Sequence, residues 1–172
     1  MVPSSPWRDS RTGSRGFQAS RQSRGRDATS GCYRADVTVE HFGIYGAWLQ
    51  FGRLVTVRKS RGPYTGWLDL PGGTPEPEED EEVTLCRELR EECGVTPLRV
   101  VSWNPFDVLV TEASDGSTID FRHRGLVALV AVDIAAKSIE MVEDVARVEF
   151  MDRDQPAGVT PAVHLAWNLL AP

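Results

Sequence analysis

Long apolar runs and cysteine are both scarce in this chain. No 18 consecutive apolar residues occur, which argues against a membrane-spanning helix, and the N-terminal region lacks the continuous apolar core of a secretory signal. We therefore expect a cytoplasmic protein with no membrane partner. The three cysteines form neither an even disulfide framework nor a CxxC metal motif, so we expect reduced thiols, with the last two as small core residues: Cys32, Cys86 and Cys93.

The charge distribution divides the chain into two segments. Residues 1–34 contain seven arginines and two aspartates, a net charge of +5, and because the whole chain carries −6, residues 35–172 carry −11. The first segment has too few apolar residues to offset the entropy of ordering it. We interpret it as a disordered basic tail, either dispensable or weakly attracted to polyanions or to the acidic segment. The 172 residues, of which 41% are hydrophobic, suffice for one domain over residues 35–172.

Hydrophobic periodicity predicts strands on both sides of a central helix. Segments that alternate or are rich in β-branched residues are 35–40, 43–49, 53–57, 98–111, 118–132 and 146–151. Hairpins are expected around Phe51-Gly52 and around residues 114–117. Helices are predicted over residues 78–93, ended by Gly94, and over 161–170, which begins with a proline. This order indicates a mixed sheet covered by helices, an α/β arrangement.

The central helix carries an unusual concentration of acids. A helical wheel places Glu88, Glu91 and Glu92 on one face, opposite an apolar stripe. Arg87 is spaced to pair with Glu91, whereas the other acids lack comparable partners. Two like charges at ~4 Å repel by roughly 4 kcal/mol at an effective dielectric near 20, a penalty that a divalent cation would remove. All-oxygen ligands favour Mg²⁺, then Mn²⁺, with phosphate oxygens completing the shell, although a merely solvated acidic face is the alternative.

The same helix lies within a recognisable motif. Residues 73–95 read GTPEPEEDEEVTLCRELREECGV, which resembles the Nudix box, G-x5-E-x7-R-E-U-x-E-E-x-G-U, where U is a bulky aliphatic residue. The nine defined positions are filled by Gly73, Glu79, Arg87, Glu88, Leu89, Glu91, Glu92, Gly94 and Val95. The resemblance covers residues 35–172 and implies the Nudix fold, a mixed β-sheet sandwiched between helices (α/β/α). It further implies Mg²⁺-dependent hydrolysis of a pyrophosphate bond in a nucleoside diphosphate derivative, releasing a nucleoside monophosphate.

The resemblance also assigns roles within the box. It makes Glu88 and Glu92 metal ligands, with Glu91 either a third metal ligand or the group that deprotonates water. The expected catalytic residues are Glu91, Glu88 and Arg87, and Arg87 is expected to hold Glu91 in position. Glu79 is expected either to brace the loop or to bind a second ion.

Substrate contacts are expected outside the helix. Gly72 and Gly73 would let the backbone approach metal or phosphates closely. Arg58 occupies a position where the family often has a phosphate-contacting base, and Arg61 in the adjoining loop is either a second contact or a solvated surface residue. Members of the family often have one more catalytic acid in a loop outside the box, and the candidates here precede the last strand: Glu140, Glu143 and Asp144.

Several alternatives stay open at the sequence level. The substrate is either a nucleoside triphosphate or a nucleotide sugar, and nucleic acid is not the expected partner. Competing hypotheses are a catalytically silent nucleotide-binding sensor and an RNA-associated protein recruited by the basic tail. A homodimer through an exposed apolar strand is a further expectation. Trp67 is expected in the core, and no chemistry is assigned to the isolated histidines His41, His123 and His164.

Overall fold

The computed structural model describes residues 38–133, 145–154 and 158–171. The predicted tail, Cys32 and the candidate acids Glu140, Glu143 and Asp144 lie outside these ranges. The elements, in chain order, are β1 (Val39–Ala47), β2 (Leu49–Gln50), β3 (Arg53–Lys59), β4 (Leu68–Asp69), β5 (Gly72–Gly73), α1 (Glu81–Cys93), β6 (Arg99–Glu112), β7 (Thr118–Ala131), β8 (Val145–Met151) and α2 (Pro161–Leu170).

The described strands form two four-stranded sheets. One has the order β5-β1-β7-β6, in which β1 and β7 are parallel and the other pairs antiparallel. The other has β3 at its centre, paired with β2, β4 and β8. The long β6–β7 hairpin confirms the second predicted hairpin, and the parallel β1–β7 pair makes the first sheet mixed, as expected.

The core lies on both faces of the first sheet. Successive strand residues point to opposite faces. Ile44 and Ala128 accordingly pack in a cluster with Leu85 and Leu89 of α1, while their neighbours Tyr45 and Val127 belong to a second cluster. That second cluster contains buried residues of α2, namely Ala162, Val163 and Ala166. The sheet is therefore sandwiched between the two helices, which confirms the α/β/α arrangement.

The helix α1 begins three residues later than the sequence suggested. The Asp80 carboxylate accepts a hydrogen bond from the Val83 N–H at 2.8 Å, which makes Asp80 the N-cap. Glu78, the predicted start, has a φ of 74°, which a right-handed helix does not accommodate. At the other end Gly94 adopts the left-handed conformation with a φ of 67°, so the predicted termination is confirmed.

The first strands also differ from the prediction in one respect. Segments 35–40 and 43–49 were expected as separate strands, but β1 runs without interruption from Val39 to Ala47 because it pairs with β7 along its whole length. The predicted hairpin turn is present: Phe51 and Gly52 have φ values of 52° and 79°, typical of a two-residue type I′ turn.

Neither helix of the described part has the length and hydropathy needed to cross a membrane. Cys86 and Cys93 are both free thiols. Cys93 is buried in the core as predicted, whereas Cys86 is only partly buried, and burial raises the pKa of both thiols.

Candidate active site

The segment from β5 to α1 brings two carboxylates into buried positions. Glu88 and Glu92 are only 8% and 5% exposed, whereas the Glu91 side chain is 44% exposed. Glu92 Oε2 accepts a hydrogen bond from the Gly72 N–H at 2.8 Å. The expectation that all three acids face away from the packed side of α1 is therefore wrong for Glu88 and Glu92. They lie on the packed side because β5, not an apolar element, covers this part of the helix.

The two glycines of β5 allow this close approach. A Cβ added to Gly73 would lie 2.3 Å from Glu88 Oε1, so any side chain there would displace the carboxylate. Gly72 has a φ of 147°, and an added Cβ would lie 2.1 Å from the Ile44 carbonyl oxygen. Glycine at position 73 thus lets the backbone lie against Glu88, and glycine at position 72 lets β5 lie against β1.

Arg87 connects the box acids to one another. Its Nε and Nη2 donate to the two carboxylate oxygens of Glu79 at 2.8 and 2.9 Å, and its Nη1 donates to Glu88 Oε1 at 2.9 Å. The expected contact with Glu91 is present but longer, 3.3 Å. Arg87 therefore holds chiefly Glu79 and Glu88, and the idea that acids other than Glu91 lack partners is wrong. Sequence spacing misses the strongest pair because Glu79 precedes the helix and reaches Arg87 through the loop.

Glu79 braces the loop before the helix. Besides the Arg87 bonds, it accepts hydrogen bonds from the Glu76 N–H at 2.9 Å and the Thr84 hydroxyl at 3.0 Å. These donors, Arg87 first, lower the pKa of Glu79 to about 2. The pKa of Arg87 is raised in turn, mainly by its hydrogen bond to Glu79. Of the two expected roles for Glu79, the contacts support the bracing one.

The donor set suits a hard cation, although no complete metal site is formed. Within residues 38–133, 145–154 and 158–171, no group of three or more His, Cys, Asp or Glu side chains is arranged to hold a metal ion. Glu88 and Glu92 nevertheless lie one turn apart beside the glycine strand, and their carboxylates offer the oxygen donors that Mg²⁺ and Mn²⁺ prefer. Arg87 and the Gly72 N–H each orient one of these carboxylates.

A cavity of about 460 Å³ lies against this element. Gly72, Gly73, Arg87 and Glu88 line one part of it, and the rest of the wall includes Lys59, Arg61, His41 and Tyr45. The structure thus brings most of the predicted site residues together around one space. Lys59 and Arg61 face the same space as Glu88, whereas Glu91 and Glu92 do not line it. Cations opposite a candidate metal ligand form the charge pattern that a metal-bound polyphosphate would need.

Arg58 is not among the residues that line this cavity. Its guanidinium instead forms a two-pronged pair with Glu149 of β8, with Nε–Oε1 and Nη2–Oε2 distances of 2.5 and 2.7 Å, and its Nη1 donates to the Gly66 carbonyl. This pair lowers the pKa of Glu149. The pairing of β3 with β8 sets Glu149 opposite Thr56, two residues from Arg58, so the two side chains meet diagonally, a contact that spacing in the sequence cannot reveal.

A second cavity of about 250 Å³ shares part of its wall with the first. The shared residues are His41, Tyr45, Lys59 and Arg61. The rest of its wall includes Tyr64, Asp69, Phe121 and His123. The sequence assigned no chemistry to the histidines among these, because nothing in their spacing relates them. In the folded protein the two histidines are neighbours, because strand pairing sets His41 of β1 directly beside His123 of β7.

Four rings at this second cavity form a continuous hydrogen-bonded chain. The Tyr45 hydroxyl lies 3.2 Å from His41 Nε2 and 2.8 Å from His123 Nε2, and the Tyr64 hydroxyl lies 3.0 Å from His123 Nδ1. His123 is 1% exposed, and burial, followed by the charges of His41 and Lys59, lowers its pKa to about 3. Burial likewise raises the pKa of Tyr64. His123 is therefore neutral at physiological pH.

Comparisons with known proteins agree on one family. The family model of the NUDIX domain matches residues 39–170, which span nearly the whole described part of the chain. No curated protein sequence is similar to the chain at a significant level.

Three solved structures share the fold. A MutT NUDIX hydrolase from Burkholderia pseudomallei is 22% identical, with 77% of this chain and 98% of that chain covered and a TM-score of 0.62. A NUDIX hydrolase from Nitrosomonas europaea is 19% identical over 75% and 86% of the two chains, with a TM-score of 0.59. The NUDIX domain of Shewanella oneidensis NrtR, solved in complex with ADP ribose, is 17% identical over 81% and 92%, with a TM-score of 0.57.

Proposed function

Because the chain belongs to the NUDIX domain family, we propose that it is a Mg²⁺-dependent pyrophosphohydrolase. Its substrate is a nucleoside diphosphate linked to another moiety, of the nucleoside triphosphate or nucleotide sugar type, and one product is a nucleoside monophosphate. The observation that carries this proposal is the burial of Glu88 and Glu92 against the glycine strand, with Glu88 at a cavity that also has Lys59 and Arg61 in its wall.

The carboxylates would hold the metal. Glu88, Glu91 and Glu92 are the proposed ligands, with Mn²⁺ as a substitute for Mg²⁺, and Glu91 is either the third ligand or the base that deprotonates water. A bound divalent cation supplies neutralisation of charge on the phosphate oxygens. The exposure of Glu91 leaves its carboxylate accessible to water, whereas Glu88 and Glu92 are fixed by neighbouring donors.

Other residues orient the acids and the substrate. Arg87 fixes Glu88 and, through Glu79, the loop that carries Gly73, so it acts on the positions of the reacting groups. Gly72 and Gly73 let the substrate phosphates approach the backbone. Arg61, with Lys59 beside it, is proposed to contact the phosphates across the cavity. The Shewanella neighbour binds ADP ribose, a nucleoside diphosphate sugar, which supports a ligand of this class.

The test is a panel of nucleoside triphosphates and nucleotide sugars incubated with Mg²⁺ and scored for release of the monophosphate. We expect wild-type turnover of at least one of them. Glu92→Gln should lower kcat about 1,000-fold, because it removes several kcal/mol of charge stabilisation, and Glu91→Gln should lower it severely as well. The matched control is Glu82→Gln, an exposed acid on the same helix, which should keep the wild-type rate. Equal rates for wild type and Glu92→Gln, or binding without turnover, would contradict the proposal.

A further inference from the structure

We propose that His41 is a substrate-contacting residue of this site and that the buried chain of Tyr45, His123 and Tyr64, here called the Tyr–His–Tyr chain, positions it. The inference rests on the proposed function and adds to it a residue outside the Nudix box. His41 is partly exposed and lines both cavities, so its imidazole faces the same space as Glu88 and Gly73. A substrate phosphate bound in that cavity would therefore lie next to the His41 ring.

The chain behind His41 is built for orientation. Tyr45, Tyr64 and His123 are 2%, 5% and 1% exposed, and their polar atoms are hydrogen-bonded to one another. Burying three polar groups costs free energy that an apolar set of similar size would avoid, so a purely structural cluster gains little from them. What the chain achieves is a fixed position for the Tyr45 hydroxyl, which in turn holds His41 Nε2.

Space for the Tyr45 ring is provided by a glycine two residues earlier. A Cβ added to Gly43 would lie 2.5 Å from the Tyr45 hydroxyl oxygen. The far end of the chain is also fixed, because Tyr64 stacks on Trp67 with a centroid distance of 5.8 Å. Trp67, partly buried, thus supports the chain by packing. The hydroxyl that bonds His41 is therefore constrained from both sides.

The number of protons in the hydrogen-bonded chain determines which ring nitrogen of His41 can donate a hydrogen bond to the substrate. The Tyr45 hydroxyl has one proton and lies between two ring nitrogens, so it donates to only one of them. Neutral His123 has one N–H, which allows two arrangements. If His41 is neutral, it carries its proton on Nε2 when it donates to Tyr45, and on Nδ1 when Tyr45 donates to it. A phosphate oxygen accepts hydrogen bonds, so it favours the second arrangement, in which Nδ1 is the donor.

The first test measures kcat and KM for substitutions along this chain. His41→Ala should lower kcat/KM about 10- to 100-fold, the value of a hydrogen bond to a charged group. His41→Gln should recover most of this loss, because its amide oxygen can accept the hydrogen bond from Tyr45 while its amide N–H donates to the phosphate. Tyr45→Phe should lower kcat/KM about fivefold. The matched control is His164→Gln, an exposed histidine on α2, which should match wild type.

A double mutant separates positioning from general structural damage. If Tyr45 acts through His41, Tyr45→Phe has no further effect in the His41→Ala background, whereas unrelated effects would add. Thermal unfolding of every variant verifies that it is folded. The inference is overturned if His41→Ala stays within twofold of wild type, or if Tyr45→Phe causes the same loss in both backgrounds. In either case a wild-type enzyme that Glu92→Gln inactivates leaves the proposed function standing.

The second test needs no turnover. Ring ¹⁵N NMR of the wild-type protein with Mg²⁺ is compared before and after addition of inorganic pyrophosphate. A change at the nitrogens of His41, with none at His164, supports the inference even if no nucleotide of the panel is hydrolysed. The backbone amide signals of Gly72 and Gly73 show when the site is saturated with pyrophosphate. If the His41 nitrogens do not change at saturation, the inference is overturned.

Discussion

The Nudix box and the Tyr–His–Tyr chain meet at the same cavity but are constructed in opposite ways. The charged side chains of the box all come from residues 73–95, whereas the chain joins a residue of β1, one of the loop after β3 and one of β7. A local motif of this kind can be recognised in a sequence. A constellation that depends on the pairing of β1 with β7 becomes apparent only when the fold is known.

The two regions also solve the problem of buried polarity differently. The box keeps its charges and pairs them, with Arg87 donating to Glu79 and Glu88. The chain avoids charge, since burial keeps His123 neutral, and satisfies its polar atoms with neutral partners. The box should accordingly be sensitive to the geometry of one guanidinium, whereas the chain should be sensitive to acid.

The largest effect that would sharpen this comparison is expected from Arg87→Lys. An ammonium group cannot donate to Glu79 in a two-pronged manner and reach Glu88 at the same time, so the acids lose their common support. We expect kcat/KM to fall about 10- to 100-fold, the usual range for residues that orient metal ligands. Steady-state kinetics at several Mg²⁺ concentrations measures this effect.

A matched control for Arg87→Lys is Arg90→Lys, an exposed arginine in the last turn of the same helix. It should retain wild-type activity within about twofold. Should Arg87→Lys behave like this control, the charge pairing of the box would not matter for the proposed activity, and the contrast with the neutral chain would lose its meaning.

The next effect concerns acid. His123 has a pKa of about 3 in the folded protein against 6.5 when unfolded, so the unfolded state takes up protons first as the pH falls. Stability from this residue is fully present above pH 6.5 and is lost between pH 6.5 and 3. At 1.36 kcal/mol per pH unit, the free energy of unfolding should drop by about 2 kcal/mol from pH 7 to pH 5. Urea denaturation at a series of pH values measures it.

The pH window distinguishes the two regions. The pKa of Glu79 is lowered from 4.5 to about 2, so the stability that it contributes is present above pH 4.5 and is lost only between pH 4.5 and 2. The decline between pH 7 and 5 should therefore shrink by about 2 kcal/mol in His123→Gln and persist in the control His164→Gln. A wild-type slope in His123→Gln would show that this histidine is not the neutral, buried group described above.

Sequence reasoning recovered the parts of the molecule that depend on local pattern. Periodicity and turn residues located both long strands of the second hairpin and the final helix, and the box motif identified the acids of α1. The register of Glu88 and Glu92 against the core was missed for a physical reason. Hydrophobicity alone places carboxylates on the solvent side, whereas here a glycine strand covers them and its Gly72 N–H donates to Glu92.

Contacts between distant elements were not accessible from the sequence. The pairing of β3 with β8 brings Glu149 to Arg58. From its position before the Nudix box alone, Arg58 was expected to contact phosphate. The pairing of β1 with β7 likewise places His41 beside His123. In both cases the sequence shows the chemical type of the side chain but not its partner, because the partner lies more than 80 residues away.

The smallest effect distinguishes two arginines, Arg58 of β3 and Arg61 of the loop that follows β3. Arg61 is exposed and lines both cavities, whereas Arg58 is engaged by Glu149 and the Gly66 carbonyl. Arg61→Gln should raise KM about fivefold with little change in kcat, because it removes a contact made equally to bound substrate and transition state. Arg58→Gln should leave KM unchanged and lower the free energy of unfolding by at most about 1 kcal/mol, since its ion pair is partly exposed. If Arg58→Gln raised KM and Arg61→Gln did not, Arg58 would be the residue that contacts phosphate. Its ion pair with Glu149 would then have to open when substrate binds.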